Sequence, residues 1–278
     1  MLLLVAGALL TGPLPTKEIA PGVAMPVASI GTWDSGEKKF DAFEIVAKWL
    51  ANGFRGIDTA LVYLDQPRVA KAVSAAGLRR EEIFLTSKIP GCQGSLLTKA
   101  AVEFDLKRLN TSYVDLMLMH SPFGFGCAST WAALEGLVQA GKLRSIGVSN
   151  FDGKDVDTMC ANGGCRIPPA VNQIDYSVMH HDEATITDMR QRNITVEAYS
   201  PLGGTHGTKS VFSNPMVNQI AAQHNVSAAQ VALRWIVQRG DVLTVLSGST
   251  QHQANDADLW SFALAEDEMA TLTALQSS

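Results

Sequence analysis

Short apolar runs rich in β-branched residues alternate along the chain with longer segments whose apolar positions recur at helical spacing. The short runs read as strands buried on both faces. They lie at 27–33 (VASIGTW), 55–60 (RGIDTA), 83–89 (IFLTSKI), 114–120 (VDLMLMH), 145–150 (SIGVSN), 170–176 (AVNQIDY), 195–200 (TVEAYS) and 241–248 (DVLTVLSG). Helices are expected between them at 41–52, 66–76, 96–109, 130–140, 183–192 and 227–238. Gly77, Gly141 and Gly240 follow three of these segments, where a left-handed cap residue is expected. Alternation of strand and helix over the whole length predicts an α/β fold with a parallel sheet. Eight strands fit a closed (β/α)8 TIM barrel, which takes roughly 250 residues, better than an open doubly wound sheet.

The chain has 278 residues, so one such barrel fills it, and no linker or low-complexity stretch divides it. The barrel is expected over 17–278. Residues 1–16 are set apart by the apolar stretch Leu2 to Leu10, followed by the first basic residue, Lys17. That stretch suits a packed apolar arm or a signal-peptide core; no basic side chain precedes it, as a leader would ordinarily have. The expected location is cytoplasmic, with a secretory route as the alternative if the segment is a leader. Asn110, Asn193 and Asn225 head glycan sequons that matter only on that route. No apolar run reaches the roughly 18 residues that would span a bilayer.

Charge narrows the partners. Lys and Arg number 22 against 27 Asp and Glu, a net charge of −5, without a basic cluster. Nucleic acid is therefore not an expected partner. Four cysteines (Cys92, Cys127, Cys160, Cys165) include no C-x-x-C pair, so neither a zinc ribbon nor a thioredoxin-like motif is supported. Cys160 and Cys165 could bridge under oxidising conditions; free thiols are expected in the cytosol. Adjacent His180 and His181 point apart in an extended chain and are not expected to hold a metal. The first strand is not followed by G-x-G-x-x-G, so no Rossmann fingerprint exists.

In a (β/α)8 barrel the active face lies at the strand ends that feed the βα loops. Reading those ends gives Asp58, Lys88, His120, Ser149, Asn150, Gln173, Tyr199 and Ser200, with Tyr63 in the loop after the second strand. Each alone has an ordinary structural explanation: a helix cap for Asp58, a solvated end for Lys88, a turn contact for His120, packing for Tyr63. Together they form an acid–base set.

These segments resemble the aldo-keto reductase family. The resemblance is carried by GIDTALVY (56–63), IFLTSK (83–88), VDLMLMHSP (114–122), GKLRSIGVSNF (141–151), VNQID (171–175) and AYSPLG (198–203), with LRW (233–235) and FAL (262–264) in register. It implies a nicotinamide-dependent carbonyl reductase whose catalytic tetrad is Asp58, Tyr63, Lys88 and His120. In that reading Tyr63 donates the proton, the Lys88 ammonium lowers the phenol pKa, Asp58 holds Lys88, and His120 orients the carbonyl oxygen. The resemblance also implies that Ser149, Asn150 and Gln173 hold the carboxamide and that Tyr199 stacks on the nicotinamide. Ser200 and Leu202, with Gly203 and Gly204 behind them, would wrap the pyrophosphate. Thr32 and Trp33 match a GTW element under the site, and Asp58 also borders the cofactor.

The sequence departs from the family after the eighth strand. The usual Lys-Ser pair is replaced: an ungapped match sets Leu246-Ser247 there, His252 opposite the usual Arg and Asp256 opposite the usual Asn, and a match with a two-residue gap sets Gly248-Ser249 there instead; either way the lysine is absent. Ser249, Thr250 and the backbone N–H groups of a short helix start could still hold a 2′-phosphate, assisted by His252. NADPH is the expected cofactor and NADH the alternative. Asp65-Gln66 stand where Asn-Glu is usual. Trp33, Ile89, Ser121 and Phe123 are expected to line an open substrate pocket for small aldehydes, dicarbonyls or keto-esters. A monomer or weak oligomer is expected. The competing readings are a cofactor-binding regulatory subunit of the same fold and, by fold analogy alone, another barrel chemistry such as an isomerase.

Overall fold

A computed structural model describes residues 15–33 and 40–275. Strands β1 (Thr16–Ala20) and β2 (Val23–Pro26) form an antiparallel hairpin. The barrel strands are β3 (Ala28–Gly31), β4 (Gly56–Asp58), β5 (Phe84–Ile89), β7 (Val114–Met119), β9 (Leu143–Ser149), β10 (Val171–Asp175), β11 (Thr195–Tyr199) and β12 (Val242–Val245). They pair in that order, every neighbour parallel, and β12 closes onto β3. All eight expected strands are present, trimmed by one to three residues at most of their ends. Two-residue strands β6 (Cys92–Gln93) and β8 (Gly124–Phe125) form a separate parallel ladder.

The helices are α1 (Ala42–Ala51), α2 (Gln66–Ala75), α3 (Gly94–Leu109), α4 (Cys127–Gln139), α5 (Gly153–Met159), α6 (Glu183–Gln191), α7 (Gly204–Ser213), α8 (Pro215–His224), α9 (Ala228–Gln238), α10 (Thr250–Ala257) and α11 (Glu266–Thr273). The six expected helices appear, whereas α5, α7 and α8 were not read from the sequence. Left-handed backbone at Gly77, Gly141 and Gly240 ends α2, α4 and α9 as expected. Asn110, Asn193 and Asn225 also stand at helix ends with φ of 51°, 60° and 55°. Asparagine tolerates that conformation better than most residues, which explains these residues without a glycan.

Two apolar clusters follow from the two-residue period of the strands. Outward residues such as Ile30, Ile57, Leu85, Ile89 and Val196 pack under Trp49, Trp131, Trp235 and other helix side chains. Inward residues Phe84, Val171 and Val242 fill the barrel near the strand starts, with Leu116 and Leu118 continuing up β7, and Val23 and Met25 of the hairpin belong to the same cluster. The hairpin therefore closes the barrel floor. Lys17 ties it down by donating to Gly240 O at 2.6 Å. The apolar segment set apart at 1–16 lies outside the described residues up to residue 14; Thr16 already belongs to β1. No helix among the described residues is long and apolar enough to cross a membrane.

All four cysteines are paired, Cys92 with Cys127 and Cys160 with Cys165. The second pair was considered from sequence; the first was not, and the expectation of free thiols is corrected. Cys92–Cys127 joins the loops that follow β5 and β7, beside the β6–β8 ladder. Gly124 makes that ladder feasible: at φ 116° a Cβ would lie 2.0 Å from Cys92 O.

Removing the floor contact tests its weight. Met25→Ala is expected to lower stability by about 2–5 kcal/mol, since a buried methionine is truncated where the barrel cannot collapse. Urea unfolding at constant m-value measures it.

Candidate active site

Lys88 is the best-enclosed cation of the chain's upper barrel, 1% exposed, and it points inward from β5. Its ammonium donates to Asp58 Oδ1 at 2.5 Å, to Thr59 O at 3.2 Å and to Tyr63 Oη at 3.3 Å. Three N–H groups thus meet three acceptors. Burial lowers the Lys88 pKa, but Asp58 and then Tyr63 reverse this and hold it charged well above the ordinary lysine range.

Tyr63 stands on the one-turn helix Leu61–Tyr63 that follows β4. The turn is fixed from several sides. Gln66 Nε2 donates to Ala60 O at 2.6 Å, Arg108 donates to Leu64 O at 2.9 Å, and Thr59 Oγ1 donates to Asp65 at 2.7 Å. The departures at Asp65 and Gln66 are therefore part of the mounting of Tyr63. Because Tyr63 Oη accepts from Lys88, its own hydrogen is left to point elsewhere. Burial raises the phenol pKa more than Lys88 lowers it, so the acid is weaker than an ordinary tyrosine. This corrects the expectation of a net lowering. The phenol stays protonated at neutral pH, as a proton donor must.

His120 follows β7, its ring 5.8 Å from that of Tyr63 and nearly edge-on. Burial, and then the Lys88 charge, push its pKa down to about 4. At neutral pH it is an uncharged imidazole that can donate one hydrogen bond.

A cavity of about 580 Å³ opens over these groups. Asp58, Tyr63, His120, Asn150, Gln173, Tyr199, Ser200, Leu202 and Trp33 of the expected set all line it, together with Val62, Thr244 and Leu246. Asn150 takes left-handed backbone (φ 61°), donates to His120 O at 3.0 Å and accepts from Tyr199 Oη at 2.9 Å. Ser149 is buried and donates to Gln173 O at 2.8 Å, bracing the wall from behind. Thr32 is likewise buried, its N–H on Asp58 O.

Several expected residues are not brought into the cavity. Ile89 is fully buried in the outer apolar layer, because it follows inward-facing Lys88 and must face out. Ser121 donates to Pro90 O at 3.4 Å, and Phe123 is 80% exposed on the rim loop; neither lines the cavity. Ser249 caps α10 and accepts from His252 N–H, with Thr250 and His252 exposed at that helix start, next in chain to the cavity wall at Leu246.

Sequence reasoning missed Glu197. It is wholly buried in β11, two residues before Tyr199, and so faces the same way, into the barrel. An acid inside TVEAYS at that spacing was the available signal.

The site suits a nicotinamide group on its own features. Gln173 Nε2 donates to Asp58 Oδ2 at 2.9 Å and Glu197 Oε2 at 2.8 Å. Its Oε1 accepts no hydrogen bond among the described residues while Gln173 lines the cavity, so it offers an acceptor matched to a carboxamide NH₂. Tyr199 supplies a ring in the same wall.

The sequence model described as Aldo/keto reductase family matches residues 29–277, and the chain belongs to the aldo-keto reductase family. It is 36% identical over 266 residues to a glyoxal reductase of Bacillus subtilis (strain 168), covering 94% of this chain and 92% of that protein. A crystal structure of an aldo/keto reductase from Brucella melitensis superposes with a TM-score of 0.86 at 31% identity, covering 94% of this chain and 99% of that one. An aldo-keto reductase of Bombyx mori, crystallised in complex with NADP, superposes at 0.88 with 27% identity, covering 95% and 94%.

Lys88→Met is expected to destabilise the fold by about 3–5 kcal/mol, because it leaves Asp58 charged and buried without its cation. Adding Asp58→Asn should recover part of that loss. Urea midpoints of the two variants decide it; equal stability for both would mean the pair is not buried as described.

Proposed function

We propose that this chain reduces aldehydes or ketones to alcohols with NADPH, using Tyr63 as proton donor. The observation that carries the reading is the contact of the Lys88 ammonium with both Asp58 and Tyr63 directly beneath a cavity that Tyr63 and His120 share. When bound, NADPH supplies the hydride. The chain's part is placement and charge. Tyr63 Oη and the His120 imidazole donate to the substrate oxygen. As that oxygen gains negative charge they stabilise it more than they stabilise the neutral carbonyl, which is what lowers the barrier. Tyr63 then gives up its proton, and the adjacent Lys88 charge stabilises the phenolate left behind.

Gln173 with Asn150 would hold the carboxamide and Tyr199 the ring, with Ser149 bracing them. Ser200 and Leu202 would border the pyrophosphate, and Ser249, Thr250 and His252 at the start of α10 would meet a 2′-phosphate. Trp33 and Val62 would face the substrate. The similarity to a glyoxal reductase favours small aldehydes and dicarbonyls. We take the protein to act as a monomer or weak oligomer, which sedimentation tests; fractionation decides between the cytoplasm and the secretory route with which the two disulfides agree better.

Stopped-flow oxidation of bound NADPH by methylglyoxal tests the activity; no carbonyl-dependent loss of absorbance would refute it. Tyr63→Phe is expected to lower that rate about 100-fold or more, the usual worth of a general acid. NADPH affinity, followed by tryptophan quenching, should stay as in the parent.

A second test addresses the missing lysine. Leu246 lines the cavity and is exposed, and the ungapped match to the family sets it opposite the usual lysine. Leu246→Lys is expected to tighten NADPH about tenfold relative to NADH, or ~1.4 kcal/mol. Parallel fluorescence titrations measure the ratio.

A further inference from the structure

Glu197 is a wholly buried carboxyl group of the inner barrel that the reductase reading leaves without a task. It sits on β11 directly beside Gln173 of β10 in the parallel register. A single amide nitrogen, Gln173 Nε2, bridges Glu197 Oε2 at 2.8 Å and Asp58 Oδ2 at 2.9 Å. Asp58 spends its other oxygen on Lys88. Glu197 Oε1 is buried and has no hydrogen-bond partner among the described residues. An ionised carboxylate in that position would keep one oxygen desolvated and would stand near a second carboxylate that already holds the adjacent Lys88 ammonium. Both effects favour the protonated acid.

We propose that Glu197 is a positioning residue for carbonyl reduction: as a neutral carboxylic acid it anchors the Gln173 amide, and so fixes both the Asp58 carboxylate and the face that Gln173 turns to the cofactor. With both N–H groups of Gln173 drawn inward by Asp58 and Glu197, the amide cannot flip, and Oε1 alone is presented to the cavity. With Asp58 Oδ2 satisfied by Gln173, Oδ1 is held on Lys88, and Lys88 on Tyr63. The neutral state of Glu197 keeps Asp58 and Lys88 as one balanced pair beneath the phenol.

The groups facing Glu197 are few. Asp58 comes from β4, Lys88 from β5 and Gln173 from β10. On β12, Val242 is apolar and Thr244 brings only a hydroxyl; Ser29 of β3 likewise brings a hydroxyl. Asp175 and Tyr199 stand one inward position nearer the rim. Burial, then the Asp58 charge, raise the Glu197 pKa to about 8. Loss of its proton would add a negative charge beside Asp58, making the phenol of Tyr63 a weaker acid and loosening Asp58 from its bridge. Lys88 and Tyr63 titrate above this range and His120 near 4, so an inflection near 8 is separable from theirs.

The inference rests on the reductase reading for its kinetic arm only. Glu197→Ala is expected to lower kcat for methylglyoxal and weaken NADPH binding, each about tenfold. Glu197→Gln, which can still accept from Gln173, should recover most of both losses. Wild-type kcat should fall as pH passes about 8, and Glu197→Gln should lack that fall. Two readouts need no turnover. At pH 7 the infrared difference between wild type and Glu197→Gln should contain a protonated carboxyl C=O band. A proton held more tightly in the folded chain than in the unfolded one favours folding at low pH. Relative to Glu197→Gln, the urea midpoint of wild type should therefore decline from about pH 4.5 to about 8 and then level off. An unaltered alkaline fall in Glu197→Gln, full activity and affinity in Glu197→Ala, or absence of the carboxyl band would each overturn the proposal. If wild type reduced no carbonyl, the reductase reading would fall, while the band and the NADPH titrations would still decide the role of Glu197 toward Gln173.

Discussion

The upper half of the barrel depends on one ion pair, Lys88 with Asp58, placed where water does not reach. Removing an ammonium and a carboxylate from water is expensive, and a close pair repays it only when the remaining donors and acceptors are also met. Here they are: Thr59 O and Tyr63 Oη complete the ammonium, and Gln173 completes the carboxylate. The pair thereby dictates its neighbours. Tyr63 must accept from Lys88, Gln173 must turn its nitrogen inward, and His120, mostly buried and near a fixed positive charge, must stay neutral. The chemistry of the cavity surface is set by a bond the substrate never touches.

Much of this was legible in the sequence because a (β/α)8 barrel writes its active face at strand ends. Asp58, Lys88 and His120 end expected strands, and their convergence follows from closure of the sheet. What failed did so for identifiable reasons. Ile89, expected in the pocket, directly follows inward-facing Lys88, and adjacent strand residues face opposite sides. Applied strictly, the same two-residue period assigns Ile89 to the helices and Glu197 to the interior. The Cys92–Cys127 link spans two loops whose approach depends on β5 and β7 being sheet neighbours, a long-range fact that no local pattern contains.

The region after β12 shows a different kind of departure. Where the ungapped match to the family sets a lysine, Leu246 contributes an apolar wall, and Ser247 donates to buried Asp256, whose pKa burial raises to about 6. Polarity there is carried by the capped start of α10, with Ser249 as its N-cap, rather than by a fixed cation. A phosphate on that edge would be met by oriented dipoles and hydroxyls, which discriminate less sharply between charged and uncharged ribose than a lysine does.

The hairpin under the barrel has a consequence for exchange with the surroundings. Among the described residues, Val23 and Met25 stop the lower end like a cork, and the polar layer around Glu197, Gln173 and Asp58 meets bulk solvent at the cavity mouth above, which Asp58 and Gln173 line. Whatever occupies that mouth isolates the layer beneath. Reactant and spent coenzyme that pass through that mouth share a doorway.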